Sequence, residues 1–357
     1  MLRVFRDLKS DQEIAHTLLN FGILQNRKAD FQQANRLYRE SLDIYESLGD
    51  ETGIGRAMYC LGGLAHTEGA TLEARRLITF SLEILKRSGN QLGIAWSIFG
   101  LADLDEDEGE LEKSRQQYIN SLQIHRKLGN QHGIAILLIA LSSIATQQGE
   151  IEEAFKLCNE SLEIEKRLGD QKGYLNSLYQ LGQNVFIQGN LPEARHLFEQ
   201  SLEIGRRLGD ELSIGVVLHE LANVELSEDA VDTAGALLNE SVGILRKLGA
   251  KRYLALALES LVRLRTAQGS FPEARAIFRE ALEMADALGQ QPAIARLKHS
   301  AGLLAEKEND FSLATKLWQE ALELFESLGF AKAETVKADL QRLERTEPSA
   351  VAPGQTQ

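Results

Sequence analysis

The sequence predicts an all-α solenoid of stacked helix-turn-helix units, and two observations support this fold class. A unit of forty residues recurs without a slip in register, and each copy ends in glycine. A fixed period of this length is typical of a repeat array and not of separate globular domains. Within each unit, apolar residues recur at three- and four-residue steps, which is the period of an amphipathic helix. The unit-ending glycines are Gly49, Gly89, Gly129, Gly169, Gly209, Gly249, Gly289 and Gly329.

Residues 171–210 show how one unit is built. The first predicted helix carries apolar residues at helical spacing as far as Val185, and Gly189 then breaks the pattern. Pro192 follows in the first turn of the second predicted helix, where a residue without an N–H is tolerated. Gly209 is expected to end that helix in the left-handed conformation, which glycine adopts without a steric cost.

The repeat divides the chain into four predicted segments. Eight units span 11–330, and residues 331–345 form a further first helix whose charged exposed side suits the end of a solenoid. Residues 1–10 match the register of a second helix, so they are either the end of a truncated preceding repeat or a cap on the first unit. The tail 346–357 contains two prolines and is expected to be disordered.

Composition and charge narrow the class of protein. The chain has 357 residues and a formal net charge of −13, which argues against direct binding to the phosphates of a nucleic acid. Cys60 and Cys158 stand at non-equivalent positions of different units and are interpreted as free thiols in a reducing compartment. No stretch reaches the roughly 20 apolar residues that cross a bilayer, and the N-terminus has no signal-peptide core. We therefore expect a cytoplasmic protein without a membrane partner.

One unit also carries a set of marker positions: Leu181, Gly182, Gly189, Ala194, Phe198, Ser201 and Leu202. They resemble the tetratricopeptide repeat family, and the resemblance covers about 335 of the 357 residues. The period is forty instead of the common ~34, and Leu-Gly-Asp/Asn replaces the helix-closing proline. Such units look like those of kinesin light chains, Pins-type polarity adaptors and bacterial signal-transduction regulators. The resemblance implies a right-handed superhelix with a concave groove lined by the first helices.

Candidate binding residues are the positions that vary between units on the groove face of the first helices. Recurring positions are explained by packing, whereas varying positions are free for other work. Aromatic anchors in a concave surface are typical of binding hot spots, although the sequence leaves open which side chains bind and which pack against the adjoining helix. The predicted partner-binding residues are Tyr59, Trp96, Phe99, Asp103, Ile136, Ile139, Asn176, Tyr179, Gln183, His219 and Asn223.

Two of these predictions carry specific expectations. Alanine at Trp96 and Phe99 should weaken partner capture with a nearly unchanged melting temperature, whereas a large loss of stability would identify them as core residues. Asp103 begins the acidic run 103–110, which is either an acidic lip that selects a partner with Lys or Arg, or a solvated helix end. The run is not a calcium loop, because its glycine comes one residue late and Ser114 stands where a bidentate Glu is needed.

Catalytic and metal-binding motifs are absent from the sequence. The seven histidines are scattered, and no His-Glu-x-x-His, Cys-x-x-Cys, nucleophile-elbow or phosphate-loop spacing occurs. The sequence therefore predicts a non-enzymatic protein without metal or cofactor. The primary hypothesis is a scaffold that binds a partner peptide or helix in its groove. The alternative is an effector-sensing module of a bacterial transcriptional regulator or signalling ATPase. Partner identity and oligomeric state are not defined by the sequence.

Overall fold

The computed structural model describes residues 11–346, which form seventeen α-helices. Sixteen of them make eight pairs, and the predicted all-α architecture of eight helix-turn-helix units with a C-terminal helix is confirmed. The expectations for residues 1–10 and for the tail beyond 346 lie outside the described residues. The helices are α1 (Asp11–Arg27), α2 (Phe31–Leu48), α3 (Glu51–Thr67), α4 (Thr71–Arg87), α5 (Gln91–Glu108), α6 (Leu111–Leu128), α7 (Gln131–Gln148), α8 (Ile151–Leu168), α9 (Gln171–Ile187), α10 (Leu191–Leu208), α11 (Glu211–Ser227), α12 (Val231–Leu248), α13 (Lys251–Ala267), α14 (Phe271–Ala287), α15 (Gln291–Lys307), α16 (Phe311–Ser327) and α17 (Ala333–Thr346).

Each joint between units is fixed by glycine and, at most joints, by a capping side chain after it. Gly209 ends α10 with φ +66°, as the sequence predicts, and all eight unit-ending glycines have φ between 63° and 71°. Asp210 then accepts a hydrogen bond from the Ser213 N–H at 3.1 Å and so caps α11. The cap satisfies an N–H that has no partner inside the helix. Within residues 11–346, no helix is long and apolar enough to cross a membrane.

A buried serine column ties the two helices of most pairs together. Ser201, where the repeat family has alanine, donates its hydroxyl hydrogen to the Leu175 carbonyl oxygen at 3.2 Å. Five other units repeat this bond at 2.6–3.0 Å, always across 26 residues. A hydroxyl that is buried with a partner avoids the desolvation penalty of an unpaired one. The donors are Ser41, Ser81, Ser121, Ser161, Ser201 and Ser241.

The first helices, which carry odd numbers, line the concave side of the stack. They pack against the first helices of neighbouring units, for example α7 against α9 and α13 against α15. The same curvature brings the two halves of the array into contact along a line that we call the seam. Its contacts join Gly69 and Thr71 to Leu288, Gly109 to Leu328, and Gln147 to Ala331.

The leucines that precede the unit-ending glycines differ in exposure according to whether they lie at the seam. Leu128 and Leu208, each directly before a unit-ending glycine, have 48% and 46% of their surface exposed. Leu288 occupies the equivalent position in the seventh unit, yet only 6% of its surface is exposed. It is covered by the α3–α4 joint, where the Thr71 hydroxyl donates to the Leu288 carbonyl oxygen at 3.2 Å. Full burial of a leucine side chain is worth about 1.5–3 kcal/mol, so the seam is a stabilising contact.

We expect Gly109→Ala to separate the two halves of the array at the seam, and Gly189→Ala to leave the seam intact. Both glycines have similar left-handed conformations, with φ +88° and +83°, so both variants carry the same backbone cost of roughly 1–2 kcal/mol. A Cβ at position 109 would lie 2.4 Å from Leu328 Cδ2, whereas one at position 189 meets nothing within 4 Å. Thermal unfolding and small-angle scattering of the two variants measure the difference. Equal melting temperatures and radii of gyration would contradict the seam contact.

Candidate ligand-binding interior

The surface lined by first helices is enclosed, because first helices of distant units meet across it. Helix α5 packs against α15, five units later. Arg252, at the start of α13, forms an ion pair with Asp107, at the end of α5. We call the surface between these helices the interior. A ligand held there would face side chains from several units at once.

Three carboxylates of α5 form an acidic cluster in the interior: Asp103, Glu106 and Asp107. The Tyr118 hydroxyl lies 2.7 Å from an oxygen of Asp103 and 2.9 Å from one of Glu106, and Ser143 donates to Glu106 at 2.8 Å. Burial, with the neighbouring Asp103 charge added, raises the pKa of Glu106 to about 7. Glu106 therefore holds a proton more readily than an exposed carboxylate does.

Asp107 lies between two cationic or protonatable groups from other units. His66 Nε2 lies 2.7 Å from Asp107 Oδ2, while the Arg252 guanidinium pairs with the other oxygen. Burial acts to raise the pKa of Asp107, but Arg252 and the His66 hydrogen bond outweigh it and hold this pKa below its ordinary value. Asp107 is therefore the ionised centre of a three-residue bridge between the second, third and seventh units.

Within the acidic run 103–110, Glu110 is exposed, but Asp105 belongs neither to a lip nor to a solvated helix end. Asp105 is fully buried, and its carboxylate pairs with Arg75 at 2.9 Å and with Lys113 at 3.0 Å. Gln117 donates to its other oxygen at 2.8 Å. Both interpretations from the sequence were wrong at this residue, because neighbouring helices supply its partners. The run connects the third unit to the units around it.

Four of the predicted residues meet in one hydrogen-bond network. Gln183 donates to the Tyr179 hydroxyl at 2.8 Å and to Glu220 at 3.0 Å, and Tyr179 itself donates to Glu220 at 3.2 Å. Asn223 donates to the other Glu220 oxygen at 3.3 Å and lies 3.1 Å from His219 Nε2. Glu220 was not predicted, although it joins three of these side chains.

The predicted aromatic residues pack as well as face the interior. Trp96 meets Phe99 edge to face, with ring centroids 5.8 Å apart, and Phe99 lies 5.6 Å from Tyr118. Phe99 also packs against the hydrophobic core of this region. The half-buried Tyr59 lies beside Gly100, where a Cβ would come within 3.1 Å of its ring. We therefore replace the expectation of an unchanged melting temperature for Phe99→Ala by an expected loss of stability.

The other predicted residues are not part of the polar network. Ile136 and Ile139 are half-buried on α7. Asn176 is exposed on α9, away from the neighbouring residues Tyr179 and Gln183 that join the network. The structure thus joins Tyr179, Gln183, His219 and Asn223 in one network and leaves Asn176 and the two isoleucines outside it.

A basic cluster in the last units was missed. Arg263 and Arg296 belong to α13 and α15, and with Lys332 they hold the pKa of the buried Glu259 below its ordinary value against the opposing effect of burial. No hydrogen bond or ion pair within residues 11–346 involves the Arg296 guanidinium. Arg263 and Arg296 occupy the positions in their units that Asp103 and Trp96 occupy in the third unit. A comparison of the units could therefore have identified them.

Helix pairs that recur every forty residues around an enclosed interior define the class of this protein, which is a repeat α-solenoid with touching turns. The family profile described as tetratricopeptide repeat matches residues 101–164 and 133–207. The same pair of helices continues before and after those residues. Residues 101–207 are therefore tetratricopeptide repeats, and the helix pairs on either side of them share the same architecture.

Solved structures share this fold at low sequence identity. A Rap protein complexed with competence and sporulation factor has a TM-score of 0.64 at 13% identity, and the match covers 94% of this chain and 98% of that one. The Rap conjugation gene regulator of plasmid pLS20, in complex with the Phr* peptide, has a TM-score of 0.62 at 18% identity, with 78% and 77% covered. Aspartyl phosphate phosphatase F of Bacillus subtilis has a TM-score of 0.50 at 12% identity, with 98% and 97% covered. These identities show the fold alone, and no curated protein sequence matches the chain.

Proposed function

We propose that this protein is a non-catalytic, cytoplasmic adaptor that binds a peptide or helical segment of a partner protein in its interior. The network of Tyr179, Gln183, His219 and Asn223 supplies donors and acceptors at the middle of that surface. The half-buried Trp96 and the aliphatic residues of α7 supply apolar contacts beside it. A surface that combines apolar side chains with placed polar groups suits an extended peptide. Two of the fold neighbours are described with peptide or signalling-factor ligands, which supports the same class of ligand here.

The observation that carries this proposal is the uneven distribution of charge in the interior. Three carboxylates cluster on α5, whereas α13 and α15 carry Arg263 and Arg296 with the single carboxylate Glu259 beside them. Burial lowers the pKa of the Arg296 guanidinium, and Glu259 offsets this only in part. A desolvated cation without a partner attracts an anion, so we infer that the peptide places a carboxylate there.

The test is capture of a synthetic heptapeptide array with free C-terminal carboxylates by the full chain. We expect bound peptides to lose most of their affinity for a variant with Arg263→Glu and Arg296→Glu, because a charged hydrogen bond is worth about 1.5–3 kcal/mol. Arg126→Glu is the matched control, since Arg126 is 54% exposed on a second helix and pairs with Glu160. Equal capture by the wild type and the double variant, or no peptide captured, would contradict the proposal.

A second candidate function is effector sensing, in which a ligand changes the pitch of the superhelix. The bridge between Asp107 and Arg252 favours it, because an anionic ligand that takes Arg252 would compete with this contact between distant units. Scattering from the protein with a captured peptide distinguishes the two. A changed radius of gyration supports sensing, and an unchanged radius supports a scaffold. The likeness to a phosphatase at 12% identity shows fold alone, so we assign no reaction to this chain.

A further inference from the structure

The joint between the fourth and fifth units holds three side chains that neither core packing nor the interior explains. His132 at the start of α7, Glu165 near the end of α8 and Asp170, the N-cap of α9, present ligand atoms within 4.8 Å of one another. His132 Nδ1 lies 3.2 Å from Asp170 Oδ2 and 3.9 Å from Glu165 Oε1. The Glu165 side chain is 1% exposed, and its Oε2 has no hydrogen-bond partner among the described residues.

The position of Glu165 is built for a side chain without charge. In the first two units it is held by Tyr45 and Leu85, each of which packs against a glycine of the following helix. The Glu165 carboxylate occupies the same place against Gly173, where an added Cβ would come within 2.2 Å of it. Burial, with Asp170 nearby, raises the pKa of Glu165 to about 7. An ionised carboxylate in this place needs a cation beside it.

The joint between the fifth and sixth units has equal numbers of positive and negative side chains at the equivalent positions. There Lys172, in the position equivalent to His132, pairs with Asp210, which is equivalent to Asp170. Gly205 stands where the fourth unit has Glu165, so that joint has one cation for one carboxylate. The joint after α8 has two carboxylates and a single imidazole. The negative charge of the two carboxylates therefore exceeds the positive charge that the imidazole can carry.

We propose that His132, Glu165 and Asp170 bind a divalent first-row transition ion, with Zn²⁺ as the best fit. One imidazole nitrogen and two carboxylate oxygens form a donor set that zinc accepts, with water in the remaining position. Ligands at about 2.0–2.2 Å from a tetrahedral ion lie roughly 3.4 Å apart. The two carboxylate oxygens lie 3.2 and 3.9 Å from His132 Nδ1, on either side of that value. The His132 side chain is 42% exposed and gives the ion a route from solvent. This site lies apart from the basic cluster and does not depend on the peptide-binding proposal.

The primary test is calorimetric titration of the chelator-treated full chain with Zn²⁺ at pH 7.5. We expect one site, and Glu165→Gln and His132→Gln should each weaken it by at least the ~10–100-fold that loss of an outer-shell partner costs. His196→Gln is the matched control, because His196 is exposed on α10 and, among residues 11–346, bonds only to Gln200. No binding at one equivalent, or binding that both ligand variants retain, would overturn the site.

A second measurement separates ligation from general effects on folding. Glu165→Leu restores the residue type of the second unit and should fold at least as well as the wild type. Zn²⁺ should raise the melting temperature of the wild type and leave that of Glu165→Leu unchanged, because ligand binding stabilises only the state that binds. Co²⁺ should give visible absorption bands in the wild type alone. A zinc-induced shift of equal size in Glu165→Leu would rule out the proposed ligands.

Discussion

Leu288→Asp is expected to pull the two turns of the solenoid apart. The leucine is 6% exposed against the α3–α4 joint, so the variant loses burial worth about 1.5–3 kcal/mol and places an unpaired carboxylate in the seam. Each unit retains its own pair of helices, so we expect the turns to separate before the helices melt. The expected result is a larger radius of gyration with nearly full helix content, together with a lower melting temperature.

Leu208→Asp provides the matched comparison. Leu208 ends α10 in the same position of its unit, before a glycine in the same conformation, but 46% of its surface is exposed. Charge and local helix effects are therefore equal in the two variants, and only the seam differs. If both variants scatter and melt alike, the turns are not in contact in solution.

Arg252→Met should destabilise the chain more than loss of any surface ion pair. It leaves Asp107, whose side chain is 14% exposed, with only His66 as a partner. Removal of one member of a buried pair costs about 3–5 kcal/mol, and partial exposure of Arg252 places the expected loss near the lower figure. Addition of Asp107→Asn should recover most of this loss, because the side chain that lost its partner is then uncharged. Chemical denaturation of the single and double variants measures the coupling.

The comparison variant is Lys247→Met, which breaks an exposed pair with Glu211 at 3.1 Å and should have little effect. The pH dependence gives an independent check on Asp107. Its pKa is held below the ordinary value, so its contribution is complete above that ordinary value and is lost as pH falls through the lowered one. This acid-sensitive contribution should be smaller in Arg252→Met, where only the His66 contact still lowers the pKa of Asp107. A double variant no more stable than the single one would contradict the bridge.

Local features of the fold were predictable because they depend on residues within one unit. Gly209 ends a helix through its backbone conformation, and Asp210 begins the next helix through its side chain. Glycine recurs at the equivalent position of every unit. The seam was not predictable in the same way. Contact between Gly69 and Leu288 depends on the small rotation accumulated over five units, and no local motif encodes that sum.

Comparison of the units could propose positions for the candidate site, but it could not show how their side chains pair. Comparison of the units identified Tyr179 and Asn223 as variable positions of the first helices. In the structure, both side chains donate hydrogen bonds to Glu220. The pairing of Asp107 with Arg252 could not be read from the columns, since it joins helices four units apart. The residues of the zinc proposal were missed for a related reason. Glu165 and His132 come from different helices, so no short motif contains them.

The spacing of the seam sets a minimum length for this kind of molecule. Gly69 and Gly109 each lie 219 residues before the leucine they contact, and Leu248 packs beside the core of the first unit. Each contact therefore joins a unit to the fifth unit after it. An open solenoid gains stability in equal steps as units are added, because each touches only its neighbours. Here the first five units form no such contact, and every unit from the sixth onward adds one. Shortened chains should consequently lose cooperativity abruptly, and during synthesis the N-terminal units must wait for the C-terminal half before the ring of contacts can close.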